Sequence, residues 1–139
     1  MIAVAATVAV VGAGVFALKE CGRTTKDAKD MRETLSVTAT DLHAAFIADE
    51  TAANARFVGT REQAIRVTGV VRLIEPVTTD LVNVVLETDD AMAGVVCEFN
   101  ATDVPKTWNI GDPVALKGIC TGVNDLIPDV IMVRCGAVE

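Results

Sequence analysis

The sequence predicts a mainly β protein, a small five-stranded barrel set behind an N-terminal apolar helix, a linker and one amphipathic helix. Three observations carry that expectation. After Gly59 the hydrophobic pattern changes to a period of two, in five separate stretches. Prolines, glycines and Asp/Asn pairs punctuate those stretches at turn-like intervals. Finally, 51% of the 139 residues are apolar, enough for one packed core without a metal or a dense disulfide framework.

Residues 1–18 contain no charged side chain, and the first is Lys19. At about 1.5 Å per residue, a helix of that length reaches roughly 27 Å, close to the hydrocarbon thickness of about 30 Å. Two readings compete for the segment: an uncleaved membrane anchor, or an export signal cut after Ala17, with Val15 and Ala17 as the short residues that cleavage prefers. No Lys or Arg precedes the run, whereas Lys19, Arg23, Lys26, Lys29 and Arg32 follow it. By the positive-inside rule that flank holds the C-terminal side in the cytoplasm, against export, so orientation stays open.

Residues 19–39 mix charges of both signs with little apolar periodicity and are expected to form a linker, partly helical. The domain proper is expected at 40–139. Its leading helix, 40–58, has Thr40 as N-cap and Asp41 in the first turn, with Leu42, Ala45, Phe46, Asp49, Ala53 and Phe57 near one face and a stop at Gly59.

The first strand places Ile65, Val67, Gly69, Val71 and Leu73 on one face and Arg66, Thr68 and Arg72 on the other, until Pro76. Further strands are expected at 81–87, 95–99, 114–121 and 130–138, with a short helix at 101–108 between the third and the fourth. A helix in that place is the OB arrangement, in which a long first strand pairs with both the second and the fourth. Gly69 and Gly118 lie inside the first and fourth strands, where a strand bends around a small barrel.

Chemistry is sparse. Cys97, Cys120 and Cys135 share strand faces with apolar neighbours (Val95 and Phe99, Val114 and Leu116, Ile131 and Val133), so all three are expected to point inward. They read as buried thiols acting as small hydrophobes, or as one disulfide plus a free thiol in an oxidising compartment, with three pairings open. No Cys-x-x-Cys pair occurs, and the single His, His43, lies far off on the leading helix, where a surface imidazole is the ordinary reading. Asp89 with Asp90 fits a solvated turn beside Gly94. No nucleophile motif and no glycine-rich phosphate loop is present. The expectation is therefore no catalytic, cofactor-binding or metal-ligating residue, and a hydrolase would require a cleft that brings His43 or a carboxylate pair to a nucleophile.

Nucleic acid is the first partner to weigh for such a barrel. Residues 40–139 hold seven Lys and Arg against fifteen Asp and Glu, a balance of −8 that repels phosphate. No Lys or Arg occurs from residue 73 to 105, a stretch holding Glu75, Asp80, Glu87, Asp89, Asp90, Glu98 and Asp103. Stacking of bases needs exposed rings, and of Phe46, Phe57, Phe99 and Trp108 the third is expected inside and the others on helices or their ends. Nucleic acid is disfavoured on both counts.

A set of residues also resembles a known family. Ala48, Asp49, Glu50, Ala52, Ala53, Asn54, Ala55, Phe57 and Gly59 lead into Val67, Thr68, Gly69, Val70 and Val71. Cys97 with Phe99 follows, then Gly111, Asp112, Val114, Leu116, Lys117, Gly118, Cys120 and Gly122, and finally Cys135. These residues resemble the tRNA-anti-like OB-fold family of small, often exported or lipid-anchored proteins, over about Ala48 to Cys135. The string from Gly111 to Gly122 is its most specific part. The resemblance implies the fold, a place in the cell envelope and no activity, and it favours a disulfide between Cys120 and Cys135 with Cys97 as core residue or alternative partner. Such a bridge would close a loop of about fifteen residues, worth about 3 kcal/mol in the chain-entropy model. The functional expectation is a non-enzymatic binding module held at a membrane, its barrel outside the cytoplasm, contacting a protein, peptide or glycan.

Overall fold

The computed structural model describes residues 28–138. The expectations for the apolar segment, its cleavage after Ala17 and the first part of the linker lie outside the described residues. From Ala28 onward the chain runs through a short 3-10 turn (Ala28–Asp30), β1 (Glu33–Thr38), α1 (Ala39–Ala48) and α2 (Glu50–Ala53). A π-helical turn (Asn54–Val58) leads to β2 (Ala64–Pro76), β3 (Leu81–Leu86), β4 (Val95–Asn100), β5 (Pro113–Val123) and β6 (Val130–Ala137).

Strands β2 to β6 close a barrel. β2 pairs antiparallel with β3 through its second half and with β5 through its first, while β3 pairs with β4, and β5 with β6. The circuit is completed by β4 and β6, which run parallel. The long first strand of the barrel thus serves two neighbours, as the OB arrangement requires.

Two inserted residues decide which side chains face the core. Val71 pairs with Leu86 and Leu73 with Val85, so Arg72 is an extra residue on β2 and the alternation slips there. Consequently Ile65, Val67 and Val71 are buried as expected, but Leu73 turns outward at 42% exposure and Ile74 packs inward instead. On β6, Arg134 takes a left-handed backbone, with φ of 51°. Cys97 pairs with Met132 but Phe99 with Cys135, three residues on. The buried set is therefore Val130, Met132 and Cys135, and Ile131 and Val133, expected beside Cys135, are only half-buried.

The described part of the stretch expected as linker, residues 28–39, is structured. β1 runs parallel to β2 and places Leu35 and Val37 against the core. Ala28 is fully buried with Ala64 and Ile119, and the chain crosses β6 so closely that a Cβ on Gly136 would lie 2.4 Å from that of Lys29. Lys117 Nζ donates to Met31 O at 2.7 Å, and Lys29 Nζ pairs with Asp103 Oδ1 at 3.0 Å.

The leading helix begins two residues earlier than expected, because Thr38 and not Thr40 is the N-cap: its hydroxyl accepts from Asp41 N at 3.1 Å. It is also interrupted. Asp49 adopts an extended backbone and caps α2 by accepting from Ala52 N at 3.1 Å. Gly59, at φ 69°, ends the run as expected, its N–H donating to Asn54 O. The helix expected at 101–108 is a single 3-10 turn, Ala101–Asp103. Pro105 accounts for this: it lacks an N–H and drives Val104 to an extended φ/ψ of −76°/120°.

Leu42, Phe46, Ala53 and Phe57 close one end of the core, with the Phe46 and Phe57 rings 6.2 Å apart. Phe99 meets Trp108 edge-on at 5.7 Å. Gly69 lies where α1 begins, a Cβ there standing 3.0 Å from that of Ala39. Gly118 lies beneath β6, a Cβ there standing 2.5 Å from Cys135 Sγ and 2.9 Å from Met132 Cε.

Two glycines separate space from conformation. Gly118→Ala overpacks the core and is expected to cost about 1–3 kcal/mol. Gly111→Ala meets no atom within 4 Å but holds φ at +94°, and is expected to cost about 1–2 kcal/mol. Urea denaturation of both variants checks this; neutrality at Gly118 would mean that β5 and β6 lie farther apart than described.

Candidate docking surface of the barrel

On β3 the inward side chains are Val84 and Leu86, and on β4 Val95, Cys97 and Phe99, all fully buried. The alternation therefore sends Leu81, Asn83 and Val85 outward from β3, opposite Asn100, Glu98 and Val96 of β4. Leu73, paired with Val85, extends this outer face onto β2. Its only charged group among these residues is a carboxylate.

Two loops frame the face. Loop 77–80 is tied to the end of β4 by Ala101 N donating to Asp80 O at 2.8 Å, and it exposes Val77 at 55%. Loop 124–129 is fixed at the other end, where Asp129 Oδ1 accepts from Gly94 N at 2.8 Å and Val130 N donates to Gly94 O at 3.0 Å. It presents Leu126 at 92% exposure and Ile127 at 51%. Large apolar side chains thus sit on loops tied to the two ends of β4, and exposed apolar groups of that kind mark interaction sites.

Neither cations nor rings are available there. Arg72, the nearest guanidinium on β2, donates to Ala93 O (2.8 Å) and Asp90 O (3.2 Å), which commits it to holding loop 87–94. Lys29, toward the far end of β4, is paired with Asp103. Phe46, Phe57 and Phe99 are buried, and Trp108 is half-buried against Phe99. No described Phe or Trp ring is fully exposed for stacking on a base.

The three thiols all point inward, as expected, and all are free. The Cys120–Cys135 bridge is not formed. Cys120 stands opposite Met132, whereas the bulge at Arg134 carries Cys135 opposite Phe99 with its thiol against that of Cys97. Burial pushes the Cys120 thiol up from the ordinary 9.0 to about 11, against a hydrogen bond from the Gly122 backbone. Burial, followed by the contact with Cys97, holds Cys135 well above the ordinary thiol range. Protonated, enclosed sulfurs are poor nucleophiles.

His43 is not on the surface. It is 6% exposed, and its Nε2 is buried with no hydrogen-bond partner among the described residues. An orphaned buried polar atom costs about 1–3 kcal/mol. The residue lines a groove of about 570 Å³ between α1 and loop 87–94, which also holds Asp89 and Asp90. Among the described residues no three His, Cys, Asp or Glu side chains gather closely enough to hold a metal ion. No described helix is long and apolar enough to cross a membrane.

The sequence reading found residues 73–105 free of Lys and Arg, but it turned Leu73 inward and missed the loop residues Val77, Leu126 and Ile127. The signal was present, since apolar side chains inside turn segments have no core to enter. The burial of His43 carried no signal at all, because it depends on how loop 87–94 lies across α1.

The profile of the family described as tRNA_anti-like matches residues 1–137, a longer stretch than the residues that carried the resemblance. Among solved structures, a proposed nucleic acid-binding lipoprotein of Klebsiella pneumoniae is similar with a TM-score of 0.58 and 13% identity, over 76% of this chain and 93% of that one. An OBody bound to hen egg-white lysozyme aligns with a TM-score of 0.40 and 15% identity, over 62% of this chain and 92% of that one. The asparaginyl-tRNA synthetase of Entamoeba histolytica aligns with a TM-score of 0.39 and 11% identity, over 58% of this chain and 22% of that one. No curated protein matches the sequence.

Two outcomes follow from the buried groups. Because the folded state holds thiol protons more tightly than the unfolded one, the stability contributed by Cys120 is complete below about pH 9 and is lost as pH rises through about 11. The loss amounts to roughly 2–3 kcal/mol; a pH series of denaturant midpoints should show this decline, and Cys120→Ala should reduce it, with Cys135 supplying the remainder. His43→Leu, which removes the orphaned nitrogen at similar volume, is expected to raise stability by about 1 kcal/mol. A fall in its melting temperature would show that the nitrogen is satisfied in solution.

Proposed function

The chain belongs to the tRNA_anti-like family, and from that membership we propose that it is a non-enzymatic OB-fold module that docks a protein or peptide segment on the outer face of β3 and β4. One observation carries the reading: this face and the loops at its ends expose Leu73, Val77, Leu126 and Ile127, the charge on the face is the Glu98 carboxylate, and Arg72 beside it is committed to loop 87–94. Apolar contact is then what the surface has to give, and phosphate is what it repels. Its position relative to the barrel is the usual docking position of OB domains.

The apolar residues 1–18 support placement at a membrane, and the extracytoplasmic side proposed for the barrel rests on the family resemblance alone, against the basic flank that follows the segment. A lipoprotein among the structures of similar fold is in keeping with that location. Nucleic-acid binding is the second reading, favoured by what is proposed for that same neighbour. The electrostatics of residues 73–105 oppose it.

Two measurements separate these readings. Photo-crosslinkers placed at Val85 and at Leu126 in native membranes are expected to give one discrete protein adduct, which Leu73→Glu reduces at least tenfold; the same probe at Thr51, on α2, is expected to give none. Anisotropy with labelled single-stranded DNA and RNA at low salt is expected to stay flat. Saturable oligonucleotide binding that persists at physiological salt would overturn the proposal.

A further inference from the structure

Residues 28–32 cross the outside of the barrel as a strap. Ala28 packs with Ala64 and Ile119, Lys29 passes over Gly136, and Lys117 Nζ holds the Met31 carbonyl at 2.7 Å. The strap therefore lies on β5 and β6, and β5 pairs with neither β3 nor β4, so this side of the barrel faces away from the docking surface. In the sequence, residues 19–27 alone separate the strap from the uncharged residues 1–18. At about 3.5 Å each they span at most roughly 30 Å, about the width of a small domain. A membrane that holds residues 1–18 thus keeps the barrel within its own width of the surface, and charge decides which side turns towards it.

The charges are unevenly shared. Of nine Lys and Arg among residues 28–138, six lie on the strap or on the chain around it: Lys29, Arg32, Arg61, Arg66, Lys117 and Arg134. Four of the sixteen Asp and Glu lie there too; besides Asp30 and Glu33 these are Asp103 and Glu62, which form ion pairs with Lys29 and Arg134. The remainder of the described chain carries three cations against twelve carboxylates. Arg66 stands directly opposite Lys117 across β2 and β5, and like charges so placed repel. Lys117 turns to the strap. Arg66 is half-buried and has no hydrogen-bond or ion-pair partner among the described residues, and the same holds for Arg32, which is exposed at the end of the strap. Guanidinium groups left without acceptors match phosphate oxygens.

We propose that the strap side of the barrel lies on the anionic phospholipid headgroups of the membrane that holds residues 1–18, with Arg32 and Arg66 turned to the headgroup phosphates. The inference rests on the membrane placement proposed above and holds for either side of the bilayer. A negatively charged surface attracts the strap side and repels the acidic β3–β4 side, so both ends of the charge distribution orient the barrel the same way. The attraction fades beyond a Debye length of about 8 Å at physiological salt, so the contact is a salt-sensitive one. It leaves the β3–β4 face towards water, open to a partner. The lipid touches side chains over strands whose amides are already paired within the barrel, so distance to the headgroups reports the contact and amide exchange does not.

The test places the full chain in nanodiscs of phosphatidylcholine, alone or with an equal part of phosphatidylglycerol, each carrying a trace of lipid with a gadolinium chelate on its headgroup. Paramagnetic broadening of the amide resonances then reads distance from the lipid surface. With phosphatidylglycerol, broadening at Arg32, Arg66 and Lys117 is expected to exceed that at Asn83 and Glu98 at least fivefold. The contrast is expected to vanish in phosphatidylcholine alone and at about 1 M salt, where the Debye length is about 3 Å. Arg32→Gln combined with Arg66→Gln is expected to reduce it by half or more, and Lys106→Gln, a cation away from the strap, to leave it unchanged. Broadening that is even around the barrel, strongest on β3 and β4, or indifferent to lipid charge would overturn the inference while leaving the membrane placement intact. A chain that enters neither disc would overturn both.

Discussion

β4 and β6 pair in parallel from Val95 to Phe99, and without that seam the sheet would carry two raw edges, one along each strand. Closing it takes more than hydrogen bonds, because the inward faces must still match after the strands have coiled. Arg134 supplies the adjustment: its left-handed backbone adds a residue to β6, so that Met132 lies opposite Cys97 and Cys135 opposite Phe99. The room for Cys135 is then provided from β5, where Gly118 has no side chain to occupy it. Seam, bulge and glycine form one unit.

That unit has consequences on both sides of the barrel. Inside, it gathers three sulfurs that act as packing, and burial keeps the Cys120 and Cys135 thiols protonated, which lends the core a stability that alkali removes. Outside, it fixes loop 124–129 against Gly94, with Leu126 held in solvent beside the sheet. The matching adjustment on β2, at Arg72, turns Leu73 onto the same face and spends the guanidinium on loop 87–94. The apolar, cation-poor docking face is thus a product of the same slips in register that allow closure.

The barrel was legible because a period of two survives in every strand long enough to be seen, and because the element after β4 marks the topology. What escaped notice were features set by distant contacts. Bulges at Arg72 and Arg134 leave no trace in a strand's own pattern, so Leu73, Ile131 and Val133 were assigned to the wrong face. β1 was readable in principle, since Leu35 and Val37 alternate with Thr34, Ser36 and Thr38, but the charge-rich residues before it made the whole stretch look like a linker. The break in the leading helix at Asp49, and the way Pro105 cuts the following helix to one turn, were also local signals. In contrast, the orphaned nitrogen of His43 arises only when α1 and loop 87–94 meet.

Amide hydrogen exchange on the full chain, compared between native envelope membranes and purified protein, tests the docking face most directly. Added protection in the membranes confined to β3, β4 and loops 77–80 and 124–129 is the result this account predicts. Protection that falls instead on α1, α2 or the β2–β5 side, or that is equal in the two samples, would contradict it.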